Sequence, residues 1–341
     1  MKLGIWSDPH IGKRMYRTDE HNINKFEQIG YRVLGEYVDA FLEEKPDLII
    51  NAGDTFDIPN PSVLAIKNYV IAQERLSDIP TMTILGNHDF SFPNRKNKCS
   101  AVDMAKNTYF ADYDIKTVVL EDILFVMMPY IYDTDENIEK YINKCIDIAS
   151  TDTHSKKILV THGVTAKYSA TNFIEDKLKF PDKLIKLFNL VIIGHIHTPF
   201  AYMDGKTMVM SPGGMIDYQA NKDHTGICFI DTDTWKYKRK LIKTPHIIKM
   251  ECDESNINDI LKNITEDIYH IYFKGNADVI DNDLFIKAHN KAVNLKFEVM
   301  PENIEKIETE KTLSLDIVQW VAENYPDYKE AFESARDKLD E

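Results

Sequence analysis

Five short clusters along the chain bring together residue types that do chemistry in combination. They are Asp8-Pro9-His10, Gly53-Asp54-Thr55-Phe56-Asp57, Gly86-Asn87-His88-Asp89, Thr161-His162-Gly163 and Gly194-His195-Ile196-His197. Carboxylate, amide and imidazole groups recur in them, and no thiol does. A mixed oxygen and imidazole donor set suits Mn²⁺, Fe or Zn²⁺ and not Ca²⁺ or a soft, thiolate-seeking metal. Taken singly, each cluster has an ordinary explanation. Asp-x-His after a strand makes a turn, His162 can be a satisfied histidine at a strand end, and Asn and Asp favour Asx turns. Two histidines flanking one residue, His195 and His197, say more, because they project alike from an extended chain. The conjunction of the five clusters is what argues for a site.

The elements that must position these residues read clearly. Short apolar runs at 2–6, 48–51, 81–85, 123–128, 158–161 and 190–193 have the character of buried strands, and each cluster follows directly on one of them. Phe26, Ile29, Val33, Tyr37 and Phe41 recur at helical spacing, which predicts a helix over about 22–44. A second helix is expected from an N-cap at Ser62 to Leu76. Strand and helix alternation predicts an α/β core, and the carboxyl ends of its strands are where a rigid scaffold presents a site. From Phe200 to Ile242 only strands are expected, with Asp204-Gly205 as a hairpin turn. Thr244-Pro245 marks the end of this part. Strands at 246–252, 268–273 and 293–299, with helices near 256–264 and 282–290, predict a small α+β unit beyond it. After Leu313 two helical pieces are broken at Pro326. The first carries an apolar stripe of Ile317, Trp320 and Val321, the second one of Tyr328, Ala331, Phe332, Ala335 and Leu339.

Composition narrows the class. The chain has 341 residues, 43% hydrophobic and 28% charged, which is enough for about two domains with cores of their own. Cys99, Cys145, Cys228 and Cys252 form no CxxC pair, which excludes a disulfide scaffold or zinc ribbon and suits a reducing cytoplasm. Strand-like sequence from Lys2 leaves no room for a signal peptide, and no apolar run approaches the ~20 residues of a membrane span. A cytoplasmic protein without a membrane partner is expected. The net charge of −14 is unevenly spread: residues 1–250 hold 33 acidic and 31 basic side chains, a net of −2, and residues 251–341 hold 22 and 10, a net of −12. The acidity belongs to the C-terminal part and does not exclude a DNA substrate for the rest. Lys13, Arg14 and Arg17 follow the first cluster, and Arg95, Lys96 and Lys98 the third. Such side chains either hold a phosphate backbone or coat a solvated loop. Lys236, Lys238, Arg239 and Lys240 read as surface residues of a strand pair.

Across residues 8–197 the five clusters resemble the motif series of the calcineurin-like metallophosphoesterases. The resemblance is strongest to the SbcD-type branch, the double-strand-break-repair nucleases of cells and tailed phages. Asp8-Pro9-His10-Ile11-Gly12, Gly53-Asp54-Thr55-Phe56-Asp57 with Pro61-Ser62, and Ser211-Pro212-Gly213-Gly214 carry it. It implies a four-layer α/β/β/α sandwich over residues 1–244, a small α+β capping domain facing DNA over 245–305, and a helical tail over 306–341 that binds an ATPase partner. It implies two Mn²⁺ per chain, with Mg²⁺, Fe or Zn²⁺ as possible substitutes. Asp8, His10 and His197 would hold one metal, Asn87, His162 and His195 the other, and Asp54 would bridge them. His88 would stabilise the transition state or protonate the leaving oxygen. Asp57 stands where the family carries His or Asp and would orient His10 or a water, unless it is a plain turn residue. Asp89 is expected to buttress its loop. The activity implied is metal-dependent exonuclease and endonuclease cleavage of duplex ends and single strands in repair, recombination or replication. The partners implied are an SMC-like ATPase of the SbcC type and a second copy of the chain. A phosphatase or cyclic-nucleotide phosphodiesterase of the same superfamily is the alternative. A non-catalytic scaffold would not retain every ligand position. Gly214, where relatives often carry a small polar residue, departs from the pattern.

Overall fold

The computed structural model describes residues 1–15, 24–90, 102, 108–131, 135–168, 178–216 and 225–300. Arg17, Arg95, Lys96, Lys98, Cys99 and both expected stripes of the tail lie outside these residues.

Two six-stranded sheets form the frame. In spatial order the first contains β14 (Lys236–Leu241), β13 (Gly226–Asp231), β1 (Lys2–Trp6), β2 (Leu48–Asn51), β3 (Thr81–Ile84) and β4 (Thr108–Ala111). The second contains β11 (Phe200–Asp204), β12 (Thr207–Ser211), β10 (Leu190–Gly194), β7 (Lys156–His162), β6 (Ile123–Met128) and β5 (Lys116–Leu120). The neighbouring strands β1 to β4 pair parallel, as do β6, β7, β10 and β12. Strands buried on both faces need apolar side chains in both directions, so their sequences are continuous apolar runs and not alternating ones. Strand β6, ILFVMM, is buried at every position for this reason. A short ribbon pairs β8 (Val164–Thr165) with β9 (Lys179–Phe180).

The sheets pack on each other through Leu3, Ile5, Ile50 and Met82 from one and Phe125, Met127, Val160 and Ile192 from the other. Helices α1 (Lys25–Glu44) and α2 (Val63–Arg75) cover the outer face of the first sheet, burying Val33, Tyr37, Phe41 and Tyr69 with Trp6, Ile49 and Phe229. Helices α3 (Asp135–Thr151) and α4 (Asp182–Ile185) cover the second, where Ile138, Ile142 and Leu184 meet Leu159 and Val191. The result is the α/β/β/α sandwich. Side-chain caps fix where the helices start: Asn24 Oδ1 accepts from the Glu27 amide at 3.0 Å, and Ser62 Oγ accepts from the Ala65 amide at 3.1 Å. The hairpin between β11 and β12 pairs Asp204 with Thr207, so its two-residue loop is Gly205-Lys206 and Asp204 closes the strand. Gly205 has φ +64°, the conformation such a loop requires.

Residues 247–300 build a third sheet of β15 (Ile247–Asp253), β16 (Ile268–Lys274) and β17 (Asn294–Met300), all parallel. The crossovers are α5 (Ile257–Lys262) and α6 (Asn282–Lys291). Ile257, Leu261, Ile271, Phe273 and Ala288 form a core separate from the sandwich. Ile247, Ile268 and Val293 join the core around α1, and Lys25 Nζ donates to the Asn290 carbonyl at 2.5 Å, so the small unit rests on the start of α1. No helix among the described residues is long and apolar enough to cross a membrane.

Candidate metal centre

The parallel strands of both sheets end at one rim, and there the five clusters meet. Asp8 and His10 follow β1, Asp54 and Asp57 follow β2, Asn87 and His88 follow β3, His162 ends β7, and His195 and His197 follow β10. Two loops are knitted together along this rim: Asp8 N–H donates to the Gly53 carbonyl at 3.0 Å, His10 N–H to Asp54 at 3.1 Å and Ile11 N–H to Thr55 at 2.9 Å. The backbone is bent sharply to bring the side chains in. Asp8, His10, Asp54 and His195 have φ of +50°, +43°, +53° and +87°, a region that non-glycine residues occupy at a cost of about 1–3 kcal/mol each. Strain of this kind persists where the surroundings over-determine it, and it clusters at sites. Gly86 is required for approach: a Cβ there would run into the Asp54 carboxylate.

Three ligand-type groups result, each with its donor atoms within 4.8 Å of one another: Asp8, His10 and His197, then Asp54, His162 and His195, and, sharing His10 with the first, His10, Asp57 and His88. His10 Nε2 and His197 Nε2 face each other at 3.1 Å. Asn87 Oδ1 lies 3.0 Å from both His162 Nε2 and His195 Nδ1, and so completes the second group. Asp54 Oδ2 stands between the groups, 3.7 Å from His10 Nε2 and 3.3 Å from His162 Nε2. All seven ligand residues expected from the sequence are therefore brought together. Asp8, His10, Asp54 and His162 are almost fully buried, and His195 and His197 open the rim to solvent.

This donor set fits divalent cations. His162 Nδ1–H donates to the Ala52 carbonyl at 2.7 Å, which aims Nε2 at two oxygens. Without a cation, only an imidazolium can donate at both nitrogens, and burial opposes that charge. The Asp54 carboxylate outweighs the burial and holds the His162 pKa up at about 9. His10 is likewise raised against its burial, by the Asp57 carboxylate beside its Nδ1 and by Asp54 and Asp8. Burial dominates at His197, which is held down to about 4. Asp54 is buried as well, yet the surrounding imidazoles drive its pKa down. A cluster of buried carboxylates and imidazoles that must share protons to coexist is one that metal ions can take over.

His88 and Asp57 join His10 in the third group. The His88 ring packs edge-on to His10 at 4.6 Å between centroids, and its Nδ1–H donates to the Asp57 carbonyl at 2.8 Å. Asp57 Oδ1 lies 3.3 Å from His10 Nδ1 and accepts from Lys13 Nζ at 2.8 Å. Asp57 thus holds both imidazoles, one through its carboxylate and one through its backbone, which is more than a turn residue does. Lys13 stands at the rim through this pair, and Arg14 Nε reaches Glu27 of α1 at 2.8 Å. Asp89 is fully buried and accepts from the backbone amides of Gly86, Thr55 and Phe56 at 2.9, 3.3 and 3.2 Å, buttressing two loops at once. Gly214 N–H donates to the His197 carbonyl at 3.0 Å. Lys238 and Lys240 pair with Glu44 and Glu43 of α1, as surface residues.

Two further residues belong to the rim. Asn51 Oδ1 accepts from the Gly53 amide at 3.2 Å and its Nδ2 donates to Thr55 Oγ1 at 2.9 Å, shaping the turn that carries Asp54. Tyr130, two residues past the end of β6, lies against His162 and His195. Its only signal in the sequence is its place after a buried strand.

A sandwich whose parallel strands present carboxylates and imidazoles at one rim defines a metal-dependent phosphoesterase scaffold. Residues 1–199 match the family described as calcineurin-like phosphoesterase, and the chain belongs to that family; the match implies a divalent-metal site, for which the rim supplies candidate ligand groups. The chain is similar to the DNA double-strand break repair protein Mre11 of Methanococcus maripaludis, 29% identical over 65% of this chain and 61% of that one. It is also similar to the protein of the same name from Saccharolobus solfataricus, 28% identical over 64% of this chain and 55% of that one. The matched region spans less than two thirds of either relative. Among solved structures, a dimetal phosphatase from Danio rerio overlaps 67% of this chain and 91% of its own, at 10% identity and a TM-score of 0.44, a likeness too loose to bear on function.

Proposed function

We propose that this chain is a metal-dependent DNA nuclease that hydrolyses phosphodiester bonds at duplex ends and in single strands during repair. The observation that carries the reading is Asp54, one carboxylate between two ligand groups. Asp8, His10 and His197 would hold one cation and Asn87, His162 and His195 the other. Bound there, two divalent cations supply an activated water and neutralise charge on the phosphate. The chain's own residues do the rest. Asp54 sets the separation of the two groups, the Asp57 carboxylate lies against the ring of His10, and the Nδ1 hydrogen bond of His88 leaves Nε2 free to face the phosphate or its leaving oxygen, where it donates in the imidazolium form. Lys13 at the rim, with Arg14, Arg17, Arg95 and Lys96, would follow the DNA backbone.

The similarity to two double-strand-break-repair proteins supports DNA as the substrate. The fuller assembly belongs to the same proposal: Mn²⁺ as the metal, the segment 245–305 facing DNA, and the tail 306–341 docking on an SMC-like ATPase. Self-association is supported by apolar side chains left exposed on and before α2, Ile58, Val63, Leu64 and Ile71, with Val63 83% exposed. The test is direct. Purified chain with Mn²⁺ is offered linear duplex DNA, single-stranded DNA and p-nitrophenyl phosphate esters side by side. Cleavage of DNA supports the nuclease. Turnover of the esters with intact DNA would favour a phosphatase or small-molecule phosphodiesterase.

A further inference from the structure

Strands β10, β7 and β6 are adjacent in the second sheet and run parallel, so their carboxyl ends lie side by side. The first two end in His195 and His162. Met128, the last residue of β6, pairs with Thr161, the residue before His162, and two residues further on the chain reaches Tyr130. Tyr130 is half-buried between the fully buried Met128 and the buried Ile131. Its ring centroid is 6.0 Å from that of His162, edge-on at 78°, and 6.1 Å from that of His195, tilted by 35°. The two imidazoles are themselves 5.3 Å apart at 68°. The three rings form one packed cluster, with Asn87 Oδ1 beside its two imidazoles.

We infer that Tyr130 is a positioning residue for one of the two metal groups and not for the other. The inference rests on the two-group reading given above. His162 is oriented in its plane by the Ala52 carbonyl at Nδ1 and by Asn87 Oδ1 at Nε2, and such in-plane bonds do not by themselves fix the tilt of the ring. His195 presents Nδ1, the nitrogen nearer the backbone, from a residue at φ +87°, so a small change in ring angle moves the donor atom away from the Asn87 oxygen. The phenol ring packs against both. Aromatic contacts of this geometry restrict ring rotation and keep water from the flank of the donor atoms. Residues that orient ligands without touching the metal typically govern metal affinity by 10- to 100-fold. His10 packs on both His197 and His88, and neither His10 nor His197 has a ring contact to Tyr130 among the described residues, so their group is expected to be indifferent to it.

Metal binding separates this inference from the nuclease reading because it is measured without DNA. The full chain, stripped with chelator, is titrated with Mn²⁺ by calorimetry, and bound Mn²⁺ is followed by electron paramagnetic resonance, in which a coupled pair and a lone ion differ. The wild type should take up two ions. Tyr130→Leu should weaken uptake of one ion at least tenfold, leave the other unchanged and replace the coupled-pair signal by that of a single ion at intermediate Mn²⁺. Tyr130→Phe, which keeps the ring, should restore both. Two ions bound by the leucine variant with wild-type affinities would overturn the role of Tyr130 while leaving the two-metal site standing. Equal weakening of both ions, or failure of phenylalanine to restore them, would also overturn it. A wild type that bound no ion would overturn the two-metal reading together with this inference.

Discussion

The backbone amide of His88 donates to Oδ1 of Asp54 at 2.8 Å, while the other oxygen of the same carboxylate faces His10 and His162. The group proposed for proton transfer is therefore anchored to the carboxylate proposed to bridge the metals, through its main chain. Its imidazole lies outside the two groups that Asp54 separates, packed on His10 and grouped with it and Asp57.

Replacing His88 with alanine keeps that amide and removes only the ring. Hydrolysis should fall by about 10²- to 10⁴-fold, the usual contribution of a positioned acid or base. Metal content and thermal stability should stay near those of the wild type. Metal analysis alongside steady-state rates checks this, and parallel loss of metal and activity would make His88 a ligand instead.

Asp54→Ala should behave differently. It removes the oxygen between the two groups and the acceptor of the His88 amide, leaving two cations close together without a shared anion. Both ions should be lost at Mn²⁺ concentrations that saturate the wild type. A variant that still held two ions per chain would contradict the bridging role.

Asp89 touches none of the ligand side chains, yet it joins the loop after Asp54 to the loop before Asn87 through three backbone amides. Burial, with the nearby charge of Asp54, raises its pKa to about 7, and the amide hydrogen bonds counteract this. Asp89→Ala strands three buried donors, each at about 1–3 kcal/mol, so the chain should lose several kcal/mol of stability as well as its metals. Asp89→Asn keeps an acceptor oxygen and should fall between the two in urea unfolding. An alanine variant as stable as the wild type would show that the loops hold each other without it.

The frame of the site was legible because its strands are parallel and covered on both faces, so each is a continuous apolar run such as Leu48–Asn51. The clusters could then be assigned to strand ends. Strand β5 was not legible for the complementary reason: it is an antiparallel edge strand with most of its side chains in solvent, and KTVVL gives no two-sided signal. Helix α3 is absent from the sequence expectation although Ile138, Ile142, Cys145 and Ala149 recur at helical spacing, because polar residues fill the rest of it. The three-stranded unit shows a further limit. Alternating strands and helices in residues 247–300 indicate mixed structure, but only the register reveals that all three strands are parallel. Ligand types announce themselves in a sequence, whereas residues that orient them, such as Asn51 and Tyr130, are ordinary until the fold brings them to the rim.

Proton competition gives a pH dependence with a definite sign. His162 is buried, which lowers its pKa, but Asp54 outweighs this and raises it to about 9, so at neutral pH the metal-free imidazole carries a proton that a cation must displace. Burial keeps His197 neutral above about 4, so it has none to give. Apparent Mn²⁺ affinity should rise as pH increases from about 6.5 and level off near 9, by about tenfold per pH unit for one displaced proton. Calorimetry at pH 7 in buffers of different ionisation heat should register the released proton. An affinity flat across this range would mean that His162 binds no metal.

The identity of the metal follows from the same donors. Of the seven proposed ligands, His10, His162, His195 and His197 are imidazoles, Asp8 and Asp54 are carboxylates, and Asn87 offers a neutral amide oxygen. Mg²⁺ prefers oxygen ligands in near-ideal octahedra and gives up its water reluctantly, whereas Mn²⁺ accepts imidazole more readily and tolerates distorted geometry. The chelator-treated chain should therefore recover DNA cleavage with Mn²⁺ and only a small fraction of it with Mg²⁺ at equal concentration. Adding Mg²⁺ to the Mn²⁺-loaded chain should not displace the bound ions. Equal rates with Mg²⁺ alone would require an oxygen-rich site, and the four imidazoles would then be serving some other purpose at the rim.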